Sequence, residues 1–371
     1  MKVMTVVGTR PELIKLSRVI ARLDEMGEHV LVHTGQNFDH ELNQIFFDEL
    51  QIRSPDYFLD VAGDGLASTI ANVLVRTDDV FEKEAPDALL VLGDTNSALG
   101  VLMAKRRRIP IFHMEAGNRC FDQRVPEEIN RKVVDHLSDI NLPYTEHARR
   151  YLLAEGLPPD RTIKTGSPQR EVIEHYRPLI EKSDVLERLD IEPRRYFIVS
   201  IHREENVDSP HHLAALVDSV NAVASKHDVP VILSTHPRTR LRLDAAGHQF
   251  DQRVRAMAPL GLPDYLALQL HAYCAISDSG TITEESSMLG FPAVTVREAH
   301  ERPEGMDNGV VVMTGVEQER LLEAIELTVR QFETAGAPTL PEDYSPLDVS
   351  WKVCKLILSY TDYVRRVVWR E

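Results

Sequence analysis

Three carboxylates stand where they could move protons: Asp94 in Gly93-Asp94-Thr95-Asn96, Glu115 in His113-Met114-Glu115-Ala116-Gly117, and Glu127 in Pro126-Glu127-Glu128-Ile129-Asn130-Arg131. The first two directly follow short apolar runs. Carboxylates gathered in one site raise one another's pKa, so one acid can stay protonated beside one base. The plainer reading of Glu127 is a first-turn helix residue favoured by the helix dipole. A second group of residues suits an anion. Gly280-Thr281-Ile282-Thr283-Glu284-Glu285 follows an apolar run and opens a helix, so its N–H groups fit a diphosphate, and Ser279 adds a hydroxyl. The same turn also reads as an ordinary helix cap. Glu285, one turn inside, repels phosphate but suits paired ribose hydroxyls. Arg10 and Arg302 are the candidate counter-charges, although either alone is more often a surface arginine. His202, followed by Arg203 and Asn206, is a phosphate or leaving-group contact, or else a turn histidine.

These residues need a frame that brings strand ends together. The 371 residues are enough for two domains. Apolar, β-branched runs at 2–7, 29–34, 88–92 and 109–113 read as buried parallel strands, each followed by helix-period sequence. The pattern restarts with runs at 196–201, 229–234, 273–277 and 293–296, which predicts a second α/β unit of the same Rossmann-like kind. The join falls between about residues 165 and 193, where Thr165-Gly166-Ser167-Pro168 closes one series and Glu192-Pro193 introduces the next. Residues 350–371 carry Val353, Leu356, Ile357 and Tyr360 at helical spacing and predict a helix in need of a docking surface. Ligands of open α/β sheets sit beyond the carboxyl ends of strands, and there the sequence is polar in both halves, including Thr235-His236-Pro237-Arg238 and Ser277-Asp278-Ser279-Gly280. Two facing crevices would result.

Composition and missing motifs narrow the chemistry. A formal net charge of −16 repels a polyphosphate backbone, which argues against nucleic acid as a partner. No window of eighteen apolar residues is available to cross a membrane. Three widely spaced cysteines, Cys120, Cys274 and Cys354, form no disulfide framework, and the first residues lack a signal-peptide core, so a cytoplasmic location is expected. No GxGxxG turn follows the first strand, no Walker A loop occurs, and HExxH and GxSxG are missing. Neither a nicotinamide cofactor nor a metal is expected.

Seven ordered blocks together resemble the non-hydrolysing UDP-N-acetylglucosamine 2-epimerase family: GTRPE at 8–12, GDTNS at 93–97, HMEAGNR at 113–119, PEEINR at 126–131, HREEN at 202–206, SDSG at 277–280 with Glu285, and ERPE at 301–304. The resemblance implies a GT-B-like pair of Rossmann-like domains, 1–167 carrying the acid/base carboxylates and 168–349 binding UDP. It also implies a UDP-sugar in the interdomain cleft, a homodimer, and a helix at 350–371 that packs back on the first domain. Asn118, Cys120, Glu204 and Thr281 depart from the commoner pattern of the family. The run from His113 to Gln123, with Thr165-Gly166-Ser167-Pro168, looks like the branch forming UDP-N-acetyl-L-fucosamine for capsule and O-antigen. The alternatives that the resemblance leaves are a UDP-N-acetylglucosamine 2-epimerase giving UDP-N-acetylmannosamine and a neighbouring branch that acts on a diacetamido uronic acid.

The C2 hydrogen of an acetamido sugar is not α to a carbonyl, so ordinary side chains cannot remove it directly. Departure of UDP from C1 builds oxocarbenium character that acidifies C2–H, and a carboxylate then takes the proton to give a 2-acetamidoglycal. Re-addition of UDP with protonation on the other face completes the inversion. The resemblance implies that Asp94, Glu115 and Glu127 include both acid/base groups. His202, Arg10 and Arg302 would stabilise the departing diphosphate, while Ser279, Gly280 and Glu285 seat UDP. A GT-B glycosyltransferase, a hydrolysing epimerase and a UDP-sugar sensor are the rival readings. The first would need an acceptor, the second would release free sugar, and the third would leave the nucleotide sugar intact.

Overall fold

The computed structural model describes residues 1–36, 47, 49–235 and 237–371. His236, which the sequence reading placed at a strand end, lies outside the described residues. The chain divides into two compact units, Met1–Ile173 with Asp343–Glu371, and Glu174–Glu342. The first boundary falls inside the continuous helix Gln169–Glu181, and the return to the first unit precedes residue 350. Both differ by several residues from the expected divisions at 167/168 and 349/350. No break in composition marks either position.

The first unit holds β1 (Lys2–Val7), β2 (Glu28–His33), β3 (Tyr57–Phe58), β4 (Ala88–Leu92), β5 (Ile111–Met114) and β6 (Ile140–Leu142). They form one sheet in the order β3-β2-β1-β4-β5-β6, and every pairing is parallel. The second unit holds β7 (Phe197–Ile201), β8 (Val231–Thr235), β9 (Val254–Met257), β10 (Cys274–Ser277), β11 (Ala293–Thr295) and β12 (Val312–Met313), in the order β12-β11-β10-β7-β8-β9. Counted from its own first strand, this is the same order as in the first unit. In each sheet the order reverses beside the first strand, between β1 and β4 and between β7 and β10. That reversal opens a crevice beyond the strand ends.

The central strands are apolar because helices cover both sheet faces. Met4, Leu89, Leu90, Ile111 and Phe112 are completely buried in the first unit, as are Phe197, Val199, Val231 and Ile232 in the second. The helix Val349–Val364 completes the first unit by burying Val353, Cys354 and Ile357. Glu171 fastens its start by accepting the Ser350 N–H at 2.8 Å, and Arg365 reaches Asp87 at 3.0 Å. Nearby, the Arg22 guanidinium lies 4.0 Å from the centre of the Trp351 ring.

Candidate active site

At the switch point of the first unit, β1 ends in Gly8-Thr9-Arg10 and the chain enters the helix Arg10–Met26. A Cβ on Gly8 would lie 1.8 Å from Ser97 Oγ and 2.5 Å from Thr34 Oγ1, so only glycine lets these loops close so tightly. Glu12, in the first turn of that helix, is buried. Its carboxylate accepts the Gly8 N–H at 3.0 Å, the Thr9 hydroxyl at 2.8 Å and the Thr95 hydroxyl at 3.1 Å. Burial pushes the Glu12 carboxyl up to about 7, against the pull of these donors.

Asp94 and Glu115 follow the neighbouring parallel strands β4 and β5, and each has a cationic partner. Arg131 Nε lies 2.5 Å from Asp94 Oδ2. Lys15 Nζ donates to both Glu115 oxygens, at 2.8 and 2.7 Å, and Asn118 Nδ2 donates to Oε1 at 3.3 Å. Glu127 and Arg131 share the first turns of the helix Pro126–Leu137, where Asn130 Nδ2 also donates to the Asp94 carbonyl at 2.9 Å. Arg10 sits half-buried at the start of the first helix. Asp94 and Glu115 each stand beside a cation that the sequence did not reveal, and burial raises the carboxyl of Glu12, which the sequence reading did not select. A cation beside each carboxylate can absorb the change of charge as a proton comes or goes.

Lys15 was missed as well. It interrupts the apolar stripe of Leu13, Leu16, Val19 and Ile20 and is itself buried, a signal of a paired charge that the sequence carried.

In the second unit the corresponding switch point is organised by Asp278. This fully buried carboxylate accepts the His202 and Arg203 backbone N–H groups at 3.1 and 3.0 Å and Asn206 Nδ2 at 3.1 Å, with His202 Nδ1 at 3.1 Å. Burial alone would raise Asp278, but His202 and these donors outweigh it and hold the carboxyl down at about 2. His202 is thus anchored through one face while much of its side chain stays exposed.

Gly280 precedes the helix Thr281–Leu289, and the Ser279 hydroxyl lies 3.0 Å from that of Thr281. A Cβ on Gly280 would stand 3.4 Å from Glu301 Oε2, 3.8 Å from Arg203 Nη2 and 3.9 Å from Arg297 Nη1, so two guanidinium groups and the carboxylate between them flank this helix start. Arg297 is held by Glu301 through contacts of 2.9 and 3.1 Å. Arg302 is buried beside Glu284, its Nε 3.8 Å from Oε1. Arg203 and Arg297 therefore join Arg302 as candidate phosphate groups, and Arg297 was invisible until folding brought residue 297 beside residue 280. Glu285 is buried and accepts Gln269 Nε2 at 2.8 Å, which fixes the carboxylate one turn above Gly280.

The set in the first unit can exchange protons, and the set in the second can bind an anion joined to a diol. Among the described residues, no group of three or more His, Cys, Asp or Glu side chains is arranged to hold a metal ion, and no helix is long and apolar enough to cross a membrane.

Comparison with known proteins decides the family. Residues 21–358 match the family model described as UDP-N-acetylglucosamine 2-epimerase. The chain belongs to that family. The epimerase resembles the solved UDP-N-acetylglucosamine 2-epimerase of Rickettsia bellii with a TM-score of 0.92 and 49% identity, covering 100% of both chains. It also resembles the Methanocaldococcus jannaschii UDP-GlcNAc 2-epimerase solved with UDP-GlcNAc and UDP, with a TM-score of 0.90 and 31% identity over 97% of this chain and 100% of that one. The UDP-2,3-diacetamido-2,3-dideoxy-D-glucuronate 2-epimerase of Pseudomonas aeruginosa is 33% identical over 87% of this chain and 91% of its own length. The protein is an isomerase of the non-hydrolysing 2-epimerase family with a GT-B-like α/β fold of two parallel six-stranded sheets.

Proposed function

We propose that this epimerase inverts C2 of a UDP-N-acetylhexosamine by expelling UDP from C1 and adding it back through a 2-acetamidoglycal. The observation that carries this reading is the placement of Asp94 and Glu115 after adjacent parallel strands, each beside its own cation. Two faces of C2 require two acid/base groups, and these carboxylates, with Glu127, supply them. Gly280, Ser279, Arg302 and the Asp278-anchored His202 suit the diphosphate, while Glu285 suits the ribose hydroxyls. Arg10, at the β1 end, adds charge for the leaving group. The sugar is neither oxidised nor reduced overall, so the scheme calls for no redox cofactor.

For the hexosamine itself, the run from His113 to Gln123 and Thr165-Gly166-Ser167-Pro168 support the branch that forms UDP-N-acetyl-L-fucosamine for surface polysaccharide. The likeness to the diacetamido-glucuronate enzyme supports a second substrate class at comparable identity to the archaeal structure. The same reading assigns a homodimer working in the cytoplasm. The test is turnover of a panel of UDP-hexosamines, including 6-deoxy-L forms, in deuterium oxide, followed by NMR. The expected result is one preferred substrate whose product carries deuterium at C2. Product without label, or release of free sugar, overturns the reading.

A further inference from the structure

Asp135 lies on the helix Pro126–Leu137, is completely buried, and belongs to none of the groups assigned above. Its two oxygens gather three partners. Both accept the Gly117 N–H at 3.2 Å, Arg119 Nη1 stands 2.8 Å from Oδ2, and His113 Nδ1 stands 2.9 Å from Oδ1. On its far side His113 Nε2 lies 2.8 Å from the Gly93 carbonyl oxygen. Arg119 continues to Glu155 through a two-pronged contact at 2.9 and 2.7 Å.

The backbone at these contacts is unusual. Gly93, Glu115 and Gly117 all have left-handed conformations, with φ of 68°, 63° and 81°. For a glutamate this conformation is unfavourable and persists only where the surroundings impose it. Gly117 cannot be replaced by a larger residue, because a Cβ there would lie 2.5 Å from the Ala148 carbonyl oxygen. Asp94 directly follows one end of this tie, and Glu115 lies two residues before the other. A single carboxylate thus joins the turn after β4 to the turn after β5.

We infer that Asp135 is a positioning residue which, through His113 and the Gly117 N–H, sets where Asp94 and Glu115 stand at their strand ends. It touches no substrate and transfers no proton. Burial by itself would raise the Asp135 carboxyl, but His113 and Arg119 hold it below its ordinary value, so it acts as a charged anchor. The inference rests on the functional reading in which Asp94 and Glu115 do the acid/base work. Displacing a catalytic group by about 1 Å can cost about 100-fold in rate while leaving distant binding contacts alone.

The experiment compares wild type, Asp135→Asn, His113→Gln and the double variant, with active chains counted by UDP titration. In His113→Gln the amide can still donate to Gly93 but offers Asp135 nothing, and the Arg119 and Gly117 ties remain, so this variant keeps the test available should Asp135→Asn fail to fold. The expected result is a fall in kcat of about 100-fold in each single variant, with KM and the Kd for UDP within about twofold of wild type. The double variant should be little worse than the worse single, because the two residues act as one unit. A kcat within about threefold of wild type in the folded variants overturns the positioning role. Parallel loss of turnover and UDP binding also overturns it, since that reports general unfolding. A wild-type chain that turns over no UDP-N-acetylhexosamine overturns the functional reading, and this role with it.

Discussion

Lys15 Nζ grips both oxygens of Glu115, one hundred residues away in sequence, in a pair where both side chains are about nine-tenths buried. Breaking one side of such a pair leaves a charge in the interior and costs about 3 to 5 kcal/mol, whereas removing both sides can be close to neutral. Lys15→Met and Glu115→Gln should therefore each lower the urea midpoint markedly, and the double variant should recover most of the lost stability. Activity should not recover, because the double variant lacks the carboxylate. A double variant as unstable as the sum of the singles would contradict this account of the pair.

Asp94→Asn and Glu127→Gln separate chemistry from nucleotide binding. Each should lose about 100- to 10,000-fold in turnover, the range expected for a proton-transfer group. UDP affinity measured by calorimetry should stay within about twofold. A large loss of UDP affinity in either variant would move that residue from proton transfer to nucleotide binding.

Glu12 and Asp278 give opposite pH dependences. Glu12 is raised from 4.5 to about 7, so the native state holds its proton more tightly than the unfolded chain, and stability from this group falls as pH rises from about 4.5 through 7. The change amounts to about 3 kcal/mol. Asp278 is lowered from 3.8 to about 2, so its contribution is complete above pH 3.8 and is lost as pH falls through 2. Urea unfolding at pH 5 and pH 8 should show the Glu12 effect in wild type and a clearly smaller difference in Glu12→Gln. An unchanged difference would remove Glu12 as its source.

The sequence displayed the centre of each sheet and hid the edges. All eight strands expected from apolar runs are present, with starts shifted by up to two residues at prolines 110 and 230. The four that escaped, β3, β6, β9 and β12, are the outermost strands of the two sheets. Edge strands need not be apolar on both faces, and these are short: Tyr57–Phe58 and Val312–Met313 have two residues each, and Val254–Met257 is partly exposed. Candidate residues at strand ends were legible because position after an apolar run marks them. Arg131, Asp135 and Arg297 were not, because their importance lies in partners that only the folded topology brings near, as when Arg131 meets Asp94 or Arg297 flanks Gly280. Asp94 and Glu115 were visible as carboxylates after apolar runs, but the cations beside them, Arg131 and Lys15, were not singled out.

The central claim is that the bond between C1 and the β-phosphate oxygen breaks during turnover. Placing oxygen-18 in that bridge of the UDP-N-acetylhexosamine tests it most directly. If UDP departs and returns, the label should scramble into the non-bridging β-phosphate positions of recovered substrate and product, at a rate comparable to epimerisation. Complete epimerisation with every label still in the bridge would contradict the account.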